Sequence, residues 1–252
     1  MDLQLIDTQI GFGGATPGQA ETVTAAQVID EMRRLDISQA LVRITPETLD
    51  SDLWLSNTKL YAACAEHPKR LIPCPVVVPN AALDAGPEEI QLSDHIRRGA
   101  RAVCVRPQTD CWSLAPWVCD RLFQALEAHR LPTLCLMQNG FTLEEIGQLA
   151  ARYPRVPLLF SVDTYRNLRT LLPLLRTFGN VHLLIGSLYT YHAGLEQLVA
   201  EVGAERLLFG TGFPAAEAMA AITQLTYADI SAAARRQIGA ENFTRLVQGV
   251  VA

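Results

Sequence analysis

The stretch Val181–Gly210, VHLLIGSLYTYHAGLEQLVAEVGAERLLFG, contains the unit from which the whole chain is built. It opens on a short run of Val, Leu and Ile. It continues through a segment in which Leu195, Leu198, Val199 and Val202 fall at i, i+3, i+4 and i+7, and it closes on a second apolar run, Arg206–Gly210. The middle spacing puts one apolar stripe on a helix. The flanking runs do not alternate apolar with polar residues, which is the pattern of strands buried on both faces. The same unit recurs outward from here. Further strands are expected at Leu3–Asp7, Gln39–Ile44, Leu71–Val78, Ala102–Arg106, Thr133–Gln138 and Leu158–Val162. Phe243, Leu246, Val247 and Val250 repeat the helical stripe near the end. Eight strands alternating with helices over 252 residues match the size of an α/β (β/α)8 TIM barrel. A doubly wound sheet uses the same alternation and is the rival. No linker or shift in composition marks a second domain. One barrel domain over residues 1–252 is therefore expected, with extra C-terminal helices at Thr226–Arg236 and Ala240–Val251.

Hydrophobic residues make up 49% of the chain and charged residues 19%, an ordinary globular balance that excludes disorder, collagen and coiled coil. A net charge of −5 argues against nucleic acid and anionic membranes as partners. The apolar window Leu71–Leu83 is cut by Pro73, Pro75 and Pro79, so no membrane span is expected. The start, MDLQLID, has no basic region or long apolar run and does not read as a signal peptide. The six cysteines, Cys64, Cys74, Cys104, Cys111, Cys119 and Cys135, contain no C-x-x-C pair and form neither a disulfide framework nor a zinc motif. A cytoplasmic protein with reduced thiols is expected.

In such a barrel chemistry gathers where strands end. The first strand runs into Asp7-Thr8-Gln9-Ile10-Gly11, the second ends at Arg43, the fourth at Arg106 and the fifth at Gln138. The sixth ends in Ser161-Val162-Asp163, with Tyr165 beyond it. Gly186-Ser187 follow the seventh, with His192 further on, and Gly210-Thr211-Gly212 follow the eighth. An arginine at a buried strand end needs an anionic partner, because a stranded buried charge is costly. Either Arg43 and Arg106 form internal salt bridges, with Asp7, Asp110 or Asp163 as partners, or they clamp an anionic ligand in bidentate fashion.

Four longer pieces carry a resemblance. Asn57–Pro79, NTKLYAACAEHPKRLIPCPVVVP, resembles a helix, an HP-x-R turn and a third strand of the amidohydrolase-related family. Gly99-Ala100-Arg101-Ala102-Val103 resembles that family's entry into strand four. Arg206–Pro214, RLLFGTGFP, resembles its strand eight, and Gly239–Leu246, GAENFTRL, its closing motif. The family includes metal-dependent barrel hydrolases, aminocarboxymuconate-semialdehyde decarboxylase and pyrone-dicarboxylate lactonase. Its metal-binding members begin with Asp-x-His-x-His. Here the corresponding residues are Asp7, Gln9 and Gly11. Gln138 stands for the histidine after strand five, Asp163 for that after strand six, and Gly212 for the aspartate of strand eight. The resemblance therefore implies a barrel that has lost its metal ligands.

The five histidines do not rebuild the site. His67, His95 and His129 read as surface or packing residues on helices and their ends, and His182 as structural within strand seven. His192 alone could reach the mouth, and a transition metal needs three or four ligands. A weakly held Mg²⁺ on Asp163 and Gln138, through water, stays open. No cofactor is expected. Gly11, Gly13 and Gly14 lack the third glycine of a dinucleotide fingerprint, since Thr16 stands there. Lys59 lies within a helix and Lys69 in a turn, neither suited to Schiff-base chemistry. Cys111 lacks a visible histidine partner.

The first expectation for function is a metal-independent hydrolase acting on a small carboxylated lactone or amide. Asp163 would be the general base, with Gln138 and Gln9 placing water or holding an oxyanion. Arg43 and Arg106 would clamp the anion, with Ser187, Tyr165, His192 and Thr211 also contacting the substrate. The alternatives are a non-catalytic ligand-binding or subunit-interaction barrel, and a metal-free decarboxylase. The expected partner is a small anionic organic molecule; assembly as a homo-oligomer stays open.

Overall fold

The computed structural model describes residues 3–13, 23–45, 52–162, 164–186 and 192–251. Eight parallel strands follow one another as β1 (Ile6–Gly13), β2 (Gln39–Thr45), β3 (Leu71–Pro73), β4 (Val103–Cys104), β5 (Thr133–Leu134), β6 (Leu158–Phe160), β7 (Val181–Ile185) and β8 (Leu207–Phe209). Pairing runs β1-β2-β3 in one sheet and β4 through β8 in the other. Backbone contacts cross both seams. Val76, just beyond β3, bridges Cys104 of β4, and the Val77 N–H donates to the Cys104 carbonyl at 3.0 Å. On the far side the Thr8 hydroxyl donates to the Phe209 carbonyl at 2.6 Å, and the Gly212 N–H to the Gln9 carbonyl at 2.9 Å. The fold is a TIM barrel.

Each strand is followed by a helix: α1 (Ala25–Arg34), α2 (Leu53–Glu66), α3 (Glu88–Arg97), α4 (Pro116–His129), α5 (Leu143–Arg152), α6 (Leu168–Thr177), α7 (Gly194–Val202) and α8 (Ala218–Tyr227). Thr24 with Gln27, and Thr142 with Glu145, form reciprocal caps that satisfy the first free N–H groups of α1 and α5. Asp52 caps α2 by accepting from the Trp54 and Leu55 N–H groups. Among the described residues no helix is long and apolar enough to cross a membrane.

The core has two layers because strand side chains alternate. Ile6, Leu41, Cys74, Cys104, Leu134, Leu159, Leu184 and Leu208 pack inside the ring. Ile10, Val42, Val103, Cys135, Leu158, Leu183 and Leu207 face the helices. Two further helices, α9 (Ala232–Arg236) and α10 (Asn242–Gln248), follow the eighth unit. Ala240 and Phe243 join the inner cluster, and Asn242 donates to the Ala204 and Leu207 carbonyls at 2.8 Å. These contacts close the end of the barrel where strands begin.

The strands differ from the sequence expectation in length. The first does not stop at Asp7 but continues to Gly13, through a register shift between Asp7 and Ile10. The third is cut to Leu71–Pro73, since Pro73 and Pro75 bring no N–H to the ladder. The fifth ends at Leu134, and Gln138 lies in a 3-10 turn, Met137–Asn139.

Candidate functional site

The register shift in β1 decides what faces the ring. Asp7 pairs with Ala40 but Ile10 with Val42, so β1 carries one residue more than β2 across the bulge. The extra residue lets Ile6 point inward below the bulge, while Ile10 and Phe12 pack outward above it. Gln9 and Gly11 therefore join the inner face, in a strand and not on a loop. The polar residues between them have partners. Asp7 is fully buried and accepts from the Gln9 N–H at 2.9 Å, the Thr211 N–H at 3.0 Å and the Thr211 hydroxyl at 2.5 Å. Burial raises its carboxyl above the ordinary range, and those hydrogen bonds pull in the opposite direction. Asp7 and Thr211 thus tie β1 to the turn after β8. Thr211, expected to contact substrate, is fully buried in this tie, and its hydroxyl also accepts from the Phe213 N–H at 3.1 Å.

The top layer of the ring is polar. Gln9 is 5% exposed, Arg43 6% and Arg106 3%. Gln9 donates from Nε2 to Ser161 Oγ at 3.3 Å. Gly210 makes room for it, since a Cβ there would lie 2.9 Å from Gln9 Cβ, while a Cβ on Gly186 would meet the Gly210 carbonyl at 2.8 Å. Gly11 does the same for Arg43, where an added Cβ would sit 2.9 Å from Nη1 and 2.9 Å from Thr45 Cγ2. The guanidinium thus fills the space in which a side chain at position 11 would begin.

The two arginines differ in what they meet. Arg106 is held by Asp110 in a two-point pair, Nε to Oδ2 at 3.1 Å and Nη2 to Oδ1 at 2.7 Å. This is the internal salt bridge that the sequence left as one of two outcomes, and Arg106 does not stand open as half of a clamp. Among the described residues Arg43 makes no ion pair, and its Nε is buried without a hydrogen-bond partner. Burial pushes its guanidinium down from the usual value, while the Cys104 and Cys74 sulfurs and Asp7 oppose this and Arg106 adds to it. The two thiols are themselves raised by burial, so at neutral pH they supply no negative charge.

Tyr165 stands 44% exposed in a 3-10 turn after β6, and His192 is exposed ahead of α7. Asp163 and Ser187 lie outside the described residues, as does the side chain of Gln138. Sequence reading named Asp110 only as one of three partners; its spacing of four from Arg106 within a turn was the available signal. It missed Asn139, whose Nδ2 donates to Cys104 Sγ at 3.6 Å.

The donors present fit a divalent metal poorly. Among the described residues no three His, Cys, Asp or Glu side chains come together. His95 is buried against Tyr61, His129 meets the Val251 carbonyl, and His182 lies inside β7. A fixed guanidinium beside Gly11 repels a second cation. No step is therefore routed through a metal.

Solved structures share this architecture. An uncharacterized TIM-barrel protein from Bordetella bronchiseptica matches with a TM-score of 0.76 at 17% identity, covering 98% of this chain and 99% of that one. A 5-carboxyvanillate decarboxylase from Sphingomonas paucimobilis matches with a TM-score of 0.74 at 14% identity, covering 99% and 100%. A putative 2-pyrone-4,6-dicarboxylic acid hydrolase from Pseudomonas putida matches with 0.72 at 17% identity, over the full length of both chains. No curated protein matches in sequence. The amidohydrolase family model matches residues 46–248, and the chain belongs to that family.

Proposed function

We propose that the chain is a metal-independent hydrolase of a small carboxylated lactone or amide. The observation that carries this reading is Arg43, a buried guanidinium without an ion-pair partner among the described residues at the active end of the barrel. Such a charge is costly unless an anion joins it. Arg43 binds the substrate carboxylate, and Gln9, held by Ser161, offers its amide to the developing oxyanion. Asp163, two residues beyond Ser161, takes a proton from water as the water attacks the carbonyl. The C–O or C–N bond then breaks, and the leaving group takes up a proton. Arg106, fixed by Asp110, shapes the wall.

Decarboxylation is the second reading. It is favoured by the dry setting of Arg43 and by structural relatives that include a decarboxylase. The test is to incubate chelator-treated protein with a panel of carboxylated lactones, amides and aromatic acids, following acid release and CO2 separately. Acid release without CO2, lost in Arg43→Gln and in Asp163→Asn, supports the hydrolase. CO2 release that survives Asp163→Asn moves the assignment to decarboxylation. Activity that appears only with added zinc or manganese removes metal independence.

A further inference from the structure

We infer that the site selects ligands presenting one carboxylate rather than two, because Arg43 has no ion-pair partner among the described residues and Asp110 already neutralises the second guanidinium. The inference rests on the reading of Arg43 as an anion anchor and adds the charge that the ligand carries.

The top layer holds two guanidinium groups, and their surroundings set how many anions it accepts. The Arg106–Asp110 pair is nearly dry, with the two side chains 4% and 13% exposed. The two oxygens of Asp110 take the Nε–H and one Nη2–H of Arg106, the side edge of the guanidinium, and the pair balances its charge in place. A ligand carboxylate reaching Arg106 would find its charge already neutralised by Asp110 and would add a second, uncompensated negative charge to a nearly dry pair. Asp110 also lines a cleft of about 860 Å³ between the loops after β3 and β4, together with Trp54 and Trp112. It therefore stands between that cleft and Arg106, turning a second negative charge away.

Arg43 is in the opposite condition. Asp7 cannot swing to it without abandoning Thr211 and the Gln9 N–H, and Cys74 and Cys104 are neutral thiols. Among the described residues Arg43, Arg106 and Asp110 together carry one net positive charge, which a single carboxylate neutralises. A second carboxylate would be left without a partner in a desolvated space, and an ionised Asp7 would make it less welcome still. Gly11 is the positioning residue. Its φ is not in the left-handed region, so the backbone does not require glycine there; the space taken by Arg43 Nη1 does.

The test uses matched probes on the purified chain in carboxylate-free buffer: acetate against malonate, and benzoate against isophthalate, with affinity read by calorimetry and thermal shift. At least one monocarboxylate should bind tenfold or more tighter than its dicarboxylate partner. Arg43→Gln should abolish that binding, and Gly11→Ala should weaken it at least tenfold while the fold is retained. Asp110→Asn, which releases Arg106, should shift the preference toward the dicarboxylate by tenfold or more. Equal or tighter dicarboxylate binding that depends on Arg43 overturns the selectivity and leaves the anchor standing. An unchanged preference in Asp110→Asn overturns the role of Asp110. Binding by none of the probes, or binding that persists in Arg43→Gln, overturns the inference together with the anion anchor of the proposed function.

Discussion

Replacing Arg43 by methionine should make the ligand-free protein more stable. The perturbation keeps a long, unbranched side chain and removes a charge that is 6% exposed, has no ion-pair partner among the described residues, and leaves Nε without a hydrogen bond. Desolvating such an ion costs several kcal/mol after relaxation, and exchanging even paired buried charges for apolar groups often stabilises by about 1–4 kcal/mol. Arg43 has no pair among the described residues, so the upper half of that range applies, about 2.5–4 kcal/mol. In a chain of this size 1 kcal/mol moves the melting temperature by roughly 2–4 °C, so a rise of about 5–16 °C is expected. The measurement is urea unfolding and calorimetry in carboxylate-free buffer with chelator present, with an unchanged m-value confirming that both end states are preserved. The advantage of the variant should shrink toward zero when ligand is added. A carboxylate at a hundred times its dissociation constant stabilises the parent by about 2.7 kcal/mol and leaves the Met variant where it was. A ligand-free Met variant that is less stable than the parent by 1 kcal/mol or more would refute the reasoning, because Arg43 would then have a stabilising partner.

Four further outcomes are expected. His182 sits buried in β7 with Nδ1 unpartnered, and burial pushes its pKa down to about 3, with Arg206 and Arg245 adding to the effect. Its unfolded form takes a proton below about 6.5 while the folded form does not, so the stability it allows is full above that pH and falls as pH drops. Relative to His182→Gln, the parent should lose about 1.4 kcal/mol between pH 7.5 and 5.5, and parallel urea midpoints would contradict this. Thr211→Val removes the hydroxyl donated to buried Asp7 and should cost about 1.5–3 kcal/mol; a change below 0.5 kcal/mol, roughly the level of a neutral surface substitution, would mean that the tie is not made. Elemental analysis of the purified chain should find no stoichiometric zinc, iron or manganese, and one such ion per chain, lost together with activity on chelation, would exclude the metal-independent reading. Asp163→Asn should keep carboxylate binding but lower turnover by roughly a hundredfold or more, and turnover at the parent's rate would remove Asp163 as the base.

The eight-unit alternation was legible because strands buried on both faces show unbroken apolar runs, as Leu158–Phe160 and Val181–Ile185 do. The first strand was misjudged for a physical reason. Asp7, Thr8 and Gln9 look like loop composition, yet all three are buried in β1, because each makes a hydrogen bond to a neighbouring strand, turn or side chain. A polar run inside a barrel requires partners far away in sequence, and spacing alone does not disclose them. The same limit applied to the two arginines. Their inward, buried placement followed from strand ends, but which of them was already paired depended on the turn that brings Asp110 back to Arg106.

Gly11 shows how a substitution that reads as a loss becomes an occupancy. Position 11 resembles the place of a metal-binding histidine, and by sequence its glycine is an empty slot. In the fold the slot is taken by the Arg43 guanidinium, as Gln9 takes the room left by Gly210. The top layer has been repacked around two long polar side chains and has not been emptied. This bears on whether the barrel serves only as a scaffold. A barrel kept for its shape gains stability from apolar residues in this layer, because Leu or Met at position 43 would avoid the desolvation of a charge. Keeping a guanidinium there that has no ion-pair partner among the described residues, with a glycine opposite to admit it, costs stability unless an anion joins it. Arg43 therefore weighs against a purely structural role and in favour of a site that binds a carboxylate.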